Sequence, residues 1–276
     1  MKERVQIAGV PFDPVTYDEA LSRIDDMLKV GAKTYVVTPN PEMVLNASRD
    51  VDFKAVLSDA GLSIPDGVGV LWASYYLSLP MPASFWGRYA QLFSSLVSIF
   101  LSPQKIRQLL PQRVTGTDLM YKIIDQSQEH GWKIYLLGAR EGVAQKAITI
   151  LRACYPQANF VGCFAGSPQT ADESAIRDIV SAAAPDILFV AYGSPAQEKW
   201  IHYNLPHLPS IKIAVGVGGA FDFAAGIVKR APHAMQQLGL EWLYRLIQEP
   251  SRIRRIWNAT FVFINLVRKV KFGLLK

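Results

Sequence analysis

"DILFVAYG", residues 186–193, is a continuous apolar run that ends at a glycine. A strand with one solvated face alternates polar and apolar residues, whereas a strand that is covered on both faces is apolar throughout. Similar runs alternate with helical patterns along the chain: strands near 34–37, 133–137, 159–163, 186–191 and 212–215, and helices near 17–28, 41–58, 118–130, 143–153 and 172–183. This order predicts an α/β fold, a Rossmann-like, mostly parallel sheet with helices on both faces.

The composition is that of a folded protein with an uneven charge. Half of the 276 residues are hydrophobic, which excludes a disordered chain. The formal net charge is +6, but the last 32 residues hold eight of the 29 Lys and Arg residues and one of the 23 acids. This basic tail, residues 245–276, predicts an anionic partner: phosphate, a membrane surface or nucleic acid.

Two features bear on the cellular location. The cysteines, Cys154 and Cys163, form no Cys-x-x-Cys pair, and the N-terminus shows no secretory signal. We therefore expect a cytoplasmic protein, and we expect both thiols to be buried as small hydrophobic side chains.

Two apolar regions depart from the alternating pattern. Residues 71–110 are dense in aromatic side chains, but their most apolar part, 89–101, is shorter than the ~20 residues that span a bilayer. This region is either an interfacial hairpin that lies on a membrane or a surface insertion packed on its own core. The tail combines aromatic and aliphatic residues with flanking bases. This pattern indicates an amphipathic helix on a membrane surface, and the alternative is a solvated helix packed against the body.

No pattern of ligands or nucleophiles indicates a metal site or covalent catalysis. The sequence has neither H-E-x-x-H nor a Cys/His cluster. Its one Asp-x-Asp, Asp50 and Asp52, lies inside the predicted helix 41–58, where residues i and i+2 do not share a face. Ser194 lacks the G-x-S-x-G elbow. We therefore expect chemistry without a metal, a cofactor or a covalent intermediate.

Three predicted strands end in turns that contain glycine. The turns are "LLGAREG" (136–142) with Gly138, "AYGSPAQEKW" (191–200) with Gly193, and "VGVGGAFDFAAG" (215–226) with Gly216, Gly218 and Gly219. The carboxyl ends of parallel strands share one edge, where glycines let backbone amides approach an anion. The last turn fails as a dinucleotide fingerprint, because Phe221 stands where G-x-G-x-x-G needs glycine. Together the turns predict a nucleotide-diphosphate site.

Two carboxylates follow predicted apolar segments in the same way. Asp66, between Pro65 and Gly67, could deprotonate an attacking hydroxyl, or it could cap the helix that begins near Gly67. Asp222 could accept a hydrogen bond from the ring N–H of a base, or it could cap a helix. The residues alone leave both choices open.

Seven segments, taken in order, resemble the TagA/WecG/CpsF family of bacterial glycosyltransferases, and they cover nearly the whole chain. They are "TPNPEMV" (38–44), "PDGVGVLWA" (65–73), "RVTGTDL" (113–119), "LLGA" (136–139), "PDILFVAYGSPAQEKWI" (185–201), "VGVGGAFDFAAG" (215–226) and "RAPHAMQQLGLEWLYRLIQEPSRIRR" (230–255). The resemblance implies an inverting enzyme that transfers an N-acetylhexosamine, typically N-acetylmannosamine, from UDP to a polyprenyl-diphosphate-linked N-acetylglucosamine. Such an enzyme would act in the synthesis of cell-envelope polysaccharide or teichoic acid.

The resemblance also implies roles on the acceptor side of the pocket. Asp66 would be the general base, and Thr38 and Asn40 would position the acceptor or the sugar beside it. Arg113 would lie by the pocket.

On the donor side, Gln197 would contact the diphosphate or the sugar, and Asp222 would hold the uracil. The Gly216–Gly219 turn would lie close to the nucleotide. Three arginines of the C-terminal segment would close over the diphosphate: Arg245, Arg252 and Arg255. Without a metal, guanidinium groups must neutralise the charge that develops on the leaving UDP.

The chain departs from the family at two places. Residues 75–112 form an apolar insertion where a short link is expected, and Ala196 stands where the family usually has a lysine. We predict a catalytic domain, 1–244, that contains this insertion, and a basic membrane-associating appendage, 245–276. The expected partners are a UDP-sugar donor, the lipid-linked acceptor and the inner face of the plasma membrane, while a homo-oligomer is left open. Nucleic acid is not expected, because the bases are confined to the tail and interleaved with aliphatic residues.

Two other functions fit parts of the sequence. A nucleotide-binding oxidoreductase on a doubly wound sheet would explain the alternating elements, and it would bind NAD in place of UDP. A membrane-peripheral protein that binds a UDP-sugar without turning it over would explain the pocket and the tail.

Overall fold

A parallel sheet lies at the centre of the structure, a computed structural model that describes residues 3–232, 235, 241–248, 250 and 253–275. The strands of the whole structure are β1 (Val5–Ile7), β2 (Val10–Phe12), β3 (Thr34–Val37), β4 (Leu62–Ser63), β5 (Lys133–Gly138), β6 (Asn159–Phe164), β7 (Ile187–Ala191) and β8 (Ile213–Gly216). β1 and β2 form a separate antiparallel hairpin. The other strands form one sheet in the order β4-β3-β8-β7-β5-β6, with every neighbouring pair parallel.

Helices connect the strands. They are α1 (Tyr17–Val30), α2 (Pro41–Ala47), α3 (Val51–Ser58), α4 (Val68–Ser78), α5 (Phe85–Leu101), α6 (Pro103–Ile106), α7 (Gly116–His130), α8 (Val143–Cys154), α9 (Glu173–Ala183), α10 (Ala196–Asn204), α11 (Ala220–Ala224), α12 (Glu241–Gln248), α13 (Ile253–Trp257) and α14 (Phe263–Lys271). A π-helical segment, Asn258–Val262, joins α13 to α14, so that the chain ends in one basic C-terminal helix over residues 253–271.

The predicted α/β architecture is confirmed, with the five predicted strands present as β3 and β5 to β8. The sheet buries both faces. Along β5, Ile134 and Leu136 belong to one core cluster, while Tyr135 and Leu137 belong to the other. This alternation is what a pleated strand produces when helices cover both faces, and it explains why these strands are apolar throughout.

The predicted helix over residues 41–58 is wrong, because the chain breaks between α2 and α3. Asp50 is the N-cap of α3, and its Oδ1 accepts from the backbone N–H of Phe53 (2.9 Å). Because Asp50 lies outside the helix, it can meet the same partner as Asp52, and Lys199 Nζ lies 2.9 and 2.7 Å from the two carboxylates. Hydrogen bonds from Lys199 lower the pKa of both carboxyls. The expectation that these acids share no face is therefore also wrong, and the pair ties α3 to α10.

The expectation that both cysteines are buried is wrong. Cys154 is exposed and Cys163 is partly exposed. Cys154 is the last residue of α8, and Cys163 lies on β6, the strand at one end of the sheet. Positions at a helix end and on an edge strand have neighbours on fewer sides than positions inside the sheet.

The apolar region after α4 folds into α5 and α6 and packs on the body. Trp72 Nε1 donates to Ser95 Oγ (3.0 Å), and Ser95 is buried. The C-terminal helix also packs on the body, with Phe263 almost fully buried. Lys271 Nζ donates to the carbonyl of Leu79 (2.6 Å), at the end of α4. Among the described residues, no helix is both long enough and apolar enough to cross a bilayer.

Candidate active site

The predicted site residues that follow strands lie at the carboxyl edge of the sheet, and the strand order decides which of them are neighbours. β4 and β3 lead to Asp66 and Thr38, and β8 and β7 lead to the Gly216–Gly219 turn and Gly193. β3 and β8 are paired, so the acceptor side and the donor side of the predicted pocket are neighbours. Adjacent strands lie about 4.8 Å apart, which is within the reach of one sugar ring.

Two backbone hydrogen bonds assemble the acceptor side. The N–H of Asp66 donates to the carbonyl of Pro39 (3.1 Å), and the N–H of Val114 donates to the carbonyl of Pro65 (3.0 Å). These bonds place Asp66 between the segment that carries Thr38 and the segment that carries Arg113. The N-cap position of α4 belongs to Gly67, so Asp66 does not fill the capping position that the sequence left open.

Asn40 has a structural role in this corner. It is the N-cap of α2, and its Oδ1 accepts from the backbone N–H of Met43 (3.0 Å). The predicted contact of Asn40 with the acceptor stays a prediction.

Thr38 lies between the acceptor side and the donor side, and Gly116 packs closely against it. A β-carbon on Gly116 would lie 3.1 Å from Thr38 Oγ1 and 3.7 Å from the carbonyl oxygen of Gly216. Gly116 is the first residue of α7, so its missing side chain lets the N-terminus of that helix approach the carboxyl edge. The sequence analysis assigned no role to Gly116, although the glycine in "RVTGTDL" was a visible signal.

Asp118, in the first turn of α7, anchors the start of the C-terminal segment. Its carboxylate accepts from Thr115 Oγ1 (2.7 Å) and from both terminal nitrogens of Arg230. Burial alone would raise the pKa of Asp118, but these hydrogen bonds, together with the positive charges of Arg230 and Arg113, outweigh burial and lower it. The phenol of Tyr17 lies nearby, and burial, with the charges of Asp118 and Asp66, raises its pKa. No local sequence pattern predicts this cluster, because its partners are separated by up to 112 residues along the chain.

The donor side is braced by Gln197, which is buried. Its Oε1 accepts from the N–H of Gly193 (3.1 Å) and from the N–H of Gly218 (3.0 Å). Both glycines have positive φ, 79° and 53°, which other residues rarely adopt. One side-chain oxygen therefore fixes the turns after β7 and β8. The predicted contact of Gln197 with the donor is not tested by this geometry and stays a prediction.

Gly138 and Gly216 are required by close packing. A β-carbon on Gly138 would lie 2.8 Å from the carbonyl carbon of Ala191, and one on Gly216 would lie 2.7 Å from Gln197 Nε2. Distances this short would displace the backbone or the brace. Gly218, by contrast, has open space where its side chain would be, which leaves the turn accessible to a ligand.

Glu198 fixes the side-chain amide of Gln197. It is buried, and its Oε1 accepts from Gln197 Nε2 (2.7 Å). Burial raises the pKa of Glu198 more than the hydrogen bond from Gln197 lowers it. The folded protein therefore holds a proton on Glu198 at pH values where an unfolded chain would have released it.

This linkage predicts how Glu198→Gln changes the pH dependence of stability. An acid whose pKa is raised on folding does not change the free energy of unfolding while the pH is below its unfolded pKa, about 4.3. As the pH rises above that value, the acid lowers the free energy of unfolding more and more. The Gln variant keeps the acceptor for Gln197 and cannot ionise. We expect the melting temperature of the variant, measured relative to that of the wild type, to increase as the pH rises from 4 to 8. A constant difference across this range would contradict the prediction.

Asp222 lies in the first turn of α11, beside the glycine turn. Its Oδ1 is 3.7 Å from Arg140 Nη2, at the end of β5. Its position fits the predicted contact with a base, which stays a prediction.

Arg255 reaches the acceptor side of the pocket. Its guanidinium group binds the carboxylate of Glu42 through two nitrogens, at 2.7 to 3.1 Å, and Glu42 belongs to the "TPNPEMV" segment. The backbone of Arg245 lies in α12, but its side chain is outside the described part of the structure. Arg252 lies outside the described residues.

Two other kinds of site, a side cavity and a metal centre, do not fit the predicted chemistry. A cavity of about 360 Å³ opens on the flank of the sheet, lined by Tyr17, Asp18, Asp118, Tyr121, Lys122, Asp125 and Tyr155. None of the predicted site residues lines it, and its three carboxylates would repel a diphosphate. Within the described ranges, no group of three or more His, Cys, Asp or Glu side chains could hold a metal ion.

The sequence is similar to that of known glycosyltransferases. The model of the glycosyl transferase WecG/TagA/CpsF family matches residues 5–97 and 94–275. Three similar relatives are described as N-acetylglucosaminyldiphosphoundecaprenol N-acetyl-β-D-mannosaminyltransferases. The protein from Bacillus spizizenii is 32% identical over 80% of this chain and 74% of its own. The proteins from Bacillus subtilis and Staphylococcus aureus are 30% and 28% identical, over 88% and 97% of this chain and 82% and 93% of theirs. The chain belongs to the WecG/TagA/CpsF family of glycosyltransferases.

Proposed function

We propose that this chain transfers N-acetylmannosamine, or another N-acetylhexosamine, from UDP to N-acetylglucosamine that is linked to a polyprenyl diphosphate. The observation that supports the proposal is the strand order β4-β3-β8-β7, because the segments that carry Asp66 and Thr38 then follow strands on the same sheet edge as the glycine turns that Gln197 braces. The relatives named above are described as acting on N-acetylglucosaminyldiphosphoundecaprenol, which supports the same acceptor for this chain.

The proposed mechanism is one direct displacement. Asp66 takes the proton from the acceptor hydroxyl as that oxygen attacks the anomeric carbon of the donor. The bond between the sugar and UDP breaks on the opposite face, so the configuration at the anomeric carbon inverts. Asp222 holds the base of the leaving UDP, and its diphosphate lies against the turn at Gly218, which has open space where a side chain would be.

Arginines neutralise the charge on the leaving group in this proposal. Arg255 is held beside the acceptor segment by Glu42. In this proposal its guanidinium group exchanges that carboxylate for the donor diphosphate. A planar guanidinium group binds a phosphate through two hydrogen bonds, as it binds a carboxylate. Arg245 and Arg252 would join it from the same segment.

We further propose that the protein is peripheral on the cytoplasmic face of the plasma membrane. A polyprenyl-linked acceptor lies in the bilayer, and UDP-sugars are made in the cytoplasm. The C-terminal helix carries bases and exposed Trp257 and Phe261, which suits contact with anionic lipid. The division into a catalytic domain, 1–244, and an appendage, 245–276, remains part of this proposal.

The experiment that tests the proposal is UDP release from a panel of UDP-N-acetylhexosamines, with and without a lipid-diphosphate-linked N-acetylglucosamine and with EDTA present. We expect release that needs the acceptor, survives EDTA and is fastest with UDP-N-acetylmannosamine. If UDP binds but no donor of the panel turns over, the non-catalytic binding protein replaces the enzyme. Loss of release in EDTA that Mg²⁺ restores would contradict the metal-free mechanism.

A further inference from the structure

The outer face of α5 is apolar where a surface helix is ordinarily polar. Trp86, Tyr89, Phe93, Val97 and Phe100 recur every three or four residues, so they form one stripe along the helix. Trp86, Phe93 and Phe100 are 80%, 71% and 76% exposed. We call these five residues the aromatic stripe.

The opposite face of α5 is already used. Leu92, Leu96 and Ile99 pack against the core cluster that contains Trp72, and Ser95 accepts the hydrogen bond from that tryptophan. α5 is therefore held in place by its inner face, and its aromatic stripe cannot turn inward without breaking this packing. A helix that is apolar on both sides needs a second apolar partner.

The charge around the stripe identifies this partner. No Asp or Glu occurs between Asp66 and Asp118, whereas Arg88, Lys105 and Arg107 lie on α5 or just after it. A second copy of the chain on this face would set like charges against each other. An anionic phospholipid surface matches the bases and solvates the aromatic rings, and Trp and Tyr are enriched at bilayer interfaces.

The stripe is continuous with the C-terminal helix. Arg268 Nη1 donates to Tyr89 Oη (2.9 Å), and the same guanidinium group lies 5.8 Å from the centre of the Tyr89 ring and 5.7 Å from that of Phe272. The rings of Tyr89 and Phe272 meet edge to face. Arg268 therefore joins the two helices where the apolar surface of one meets the basic surface of the other.

We infer that the aromatic stripe of α5 inserts into the interface of an anionic bilayer and, together with the C-terminal helix, docks the enzyme there. α4 connects this surface to the site, since it starts two residues after Asp66 and ends before α5. It has 11 residues, about 16 Å. Docking through α5 would therefore hold the segment that carries Asp66 near the membrane, where a polyprenyl diphosphate presents its sugar. This inference deepens the proposed function and rests on it for the acceptor.

The test is co-sedimentation of the full chain with vesicles of phosphatidylglycerol and phosphatidylcholine, and with vesicles of phosphatidylcholine alone. The variant is W86Q/F93Q/F100Q, and the matched control is V30Q/V51Q/I179Q, which removes three exposed apolar side chains elsewhere on the surface. We expect the wild type to bind the anionic vesicles and the first variant to bind them at least about tenfold more weakly, because the variant replaces three large exposed side chains whose apolar surface would leave water on insertion. The control variant should bind like the wild type.

Three results would overturn the inference. They are equal binding of the variant and the wild type, equal binding to both kinds of vesicle, and a dimer in solution that the variant dissociates, since that dimer would assign the stripe to a second copy. Transfer to a water-soluble, short-chain acceptor separates this inference from the proposed function. The variant should retain that transfer, whereas failure of the wild type to transfer at all while it still binds vesicles would reject the function and leave the docking surface.

Discussion

Asp66→Asn should lower the rate of sugar transfer by about 10²–10⁴-fold, the usual contribution of a general base. Asparagine has the shape of aspartate but cannot take a proton from the acceptor hydroxyl. The backbone N–H of residue 66, which donates to Pro39, is unchanged by the substitution. We therefore expect affinity for UDP and the melting temperature to stay close to those of the wild type.

The measurement is the turnover number with saturating donor and acceptor, beside UDP affinity and thermal unfolding. Asp178→Asn is the matched control, because Asp178 is exposed on α9, away from the carboxyl edge. A transfer rate for Asp66→Asn that equals the control would remove Asp66 from the mechanism. A large loss of stability would instead assign it a structural role.

Arg255→Glu should lower the turnover number by about 10²–10³-fold, the range found when one group that stabilises transition-state charge is removed. The substitution also breaks the ion pair with Glu42 and sets two carboxylates together. Arg255 is more than half exposed, and a pair of this kind contributes about 0–1 kcal/mol to stability. We therefore expect only a small loss of stability, and thermal unfolding of the variant checks that the loss of rate is not a loss of fold.

The reversed pair, E42R/R255E, separates the two roles of Arg255. It restores an ion pair between the C-terminal helix and α2, but it moves the guanidinium group onto the acceptor segment. If Arg255 acts on the diphosphate, the double variant should regain thermal stability and remain slow. Recovery of the wild-type rate would show that the pair only fastens the C-terminal helix.

The main strands could be predicted from the sequence because burial on both faces makes them uniformly apolar. The hairpin of β1 and β2 and the two-residue β4 could not, since such short strands give too few residues for a pattern. The break between α2 and α3 had a readable signal, because Asp50 stands directly before the apolar start of α3, where an N-cap is expected.

Some features of the site also follow from local sequence patterns, and others do not. Glycines and lone acids after strands are local signals, so Asp66, Asp222 and the glycine turns could be proposed as site residues from the sequence. The brace depends on one side chain, Gln197, which joins two turns. One of its partners, Gly218, lies 21 residues away along the chain. The pairs Asp118–Arg230 and Glu42–Arg255 join residues 112 and 213 positions apart, and no local pattern predicts them. The order of the strands, which sets acceptor beside donor, is likewise a property of the folded sheet.

The configuration of the new glycosidic bond tests the central claim most directly. The product formed from UDP-N-acetylmannosamine and a lipid-diphosphate-linked N-acetylglucosamine can be released from its lipid and examined by NMR. Direct displacement on the α-linked donor predicts a β linkage. An α-linked product, or a sugar bound covalently to the protein during turnover, would contradict a single displacement with Asp66 as its base.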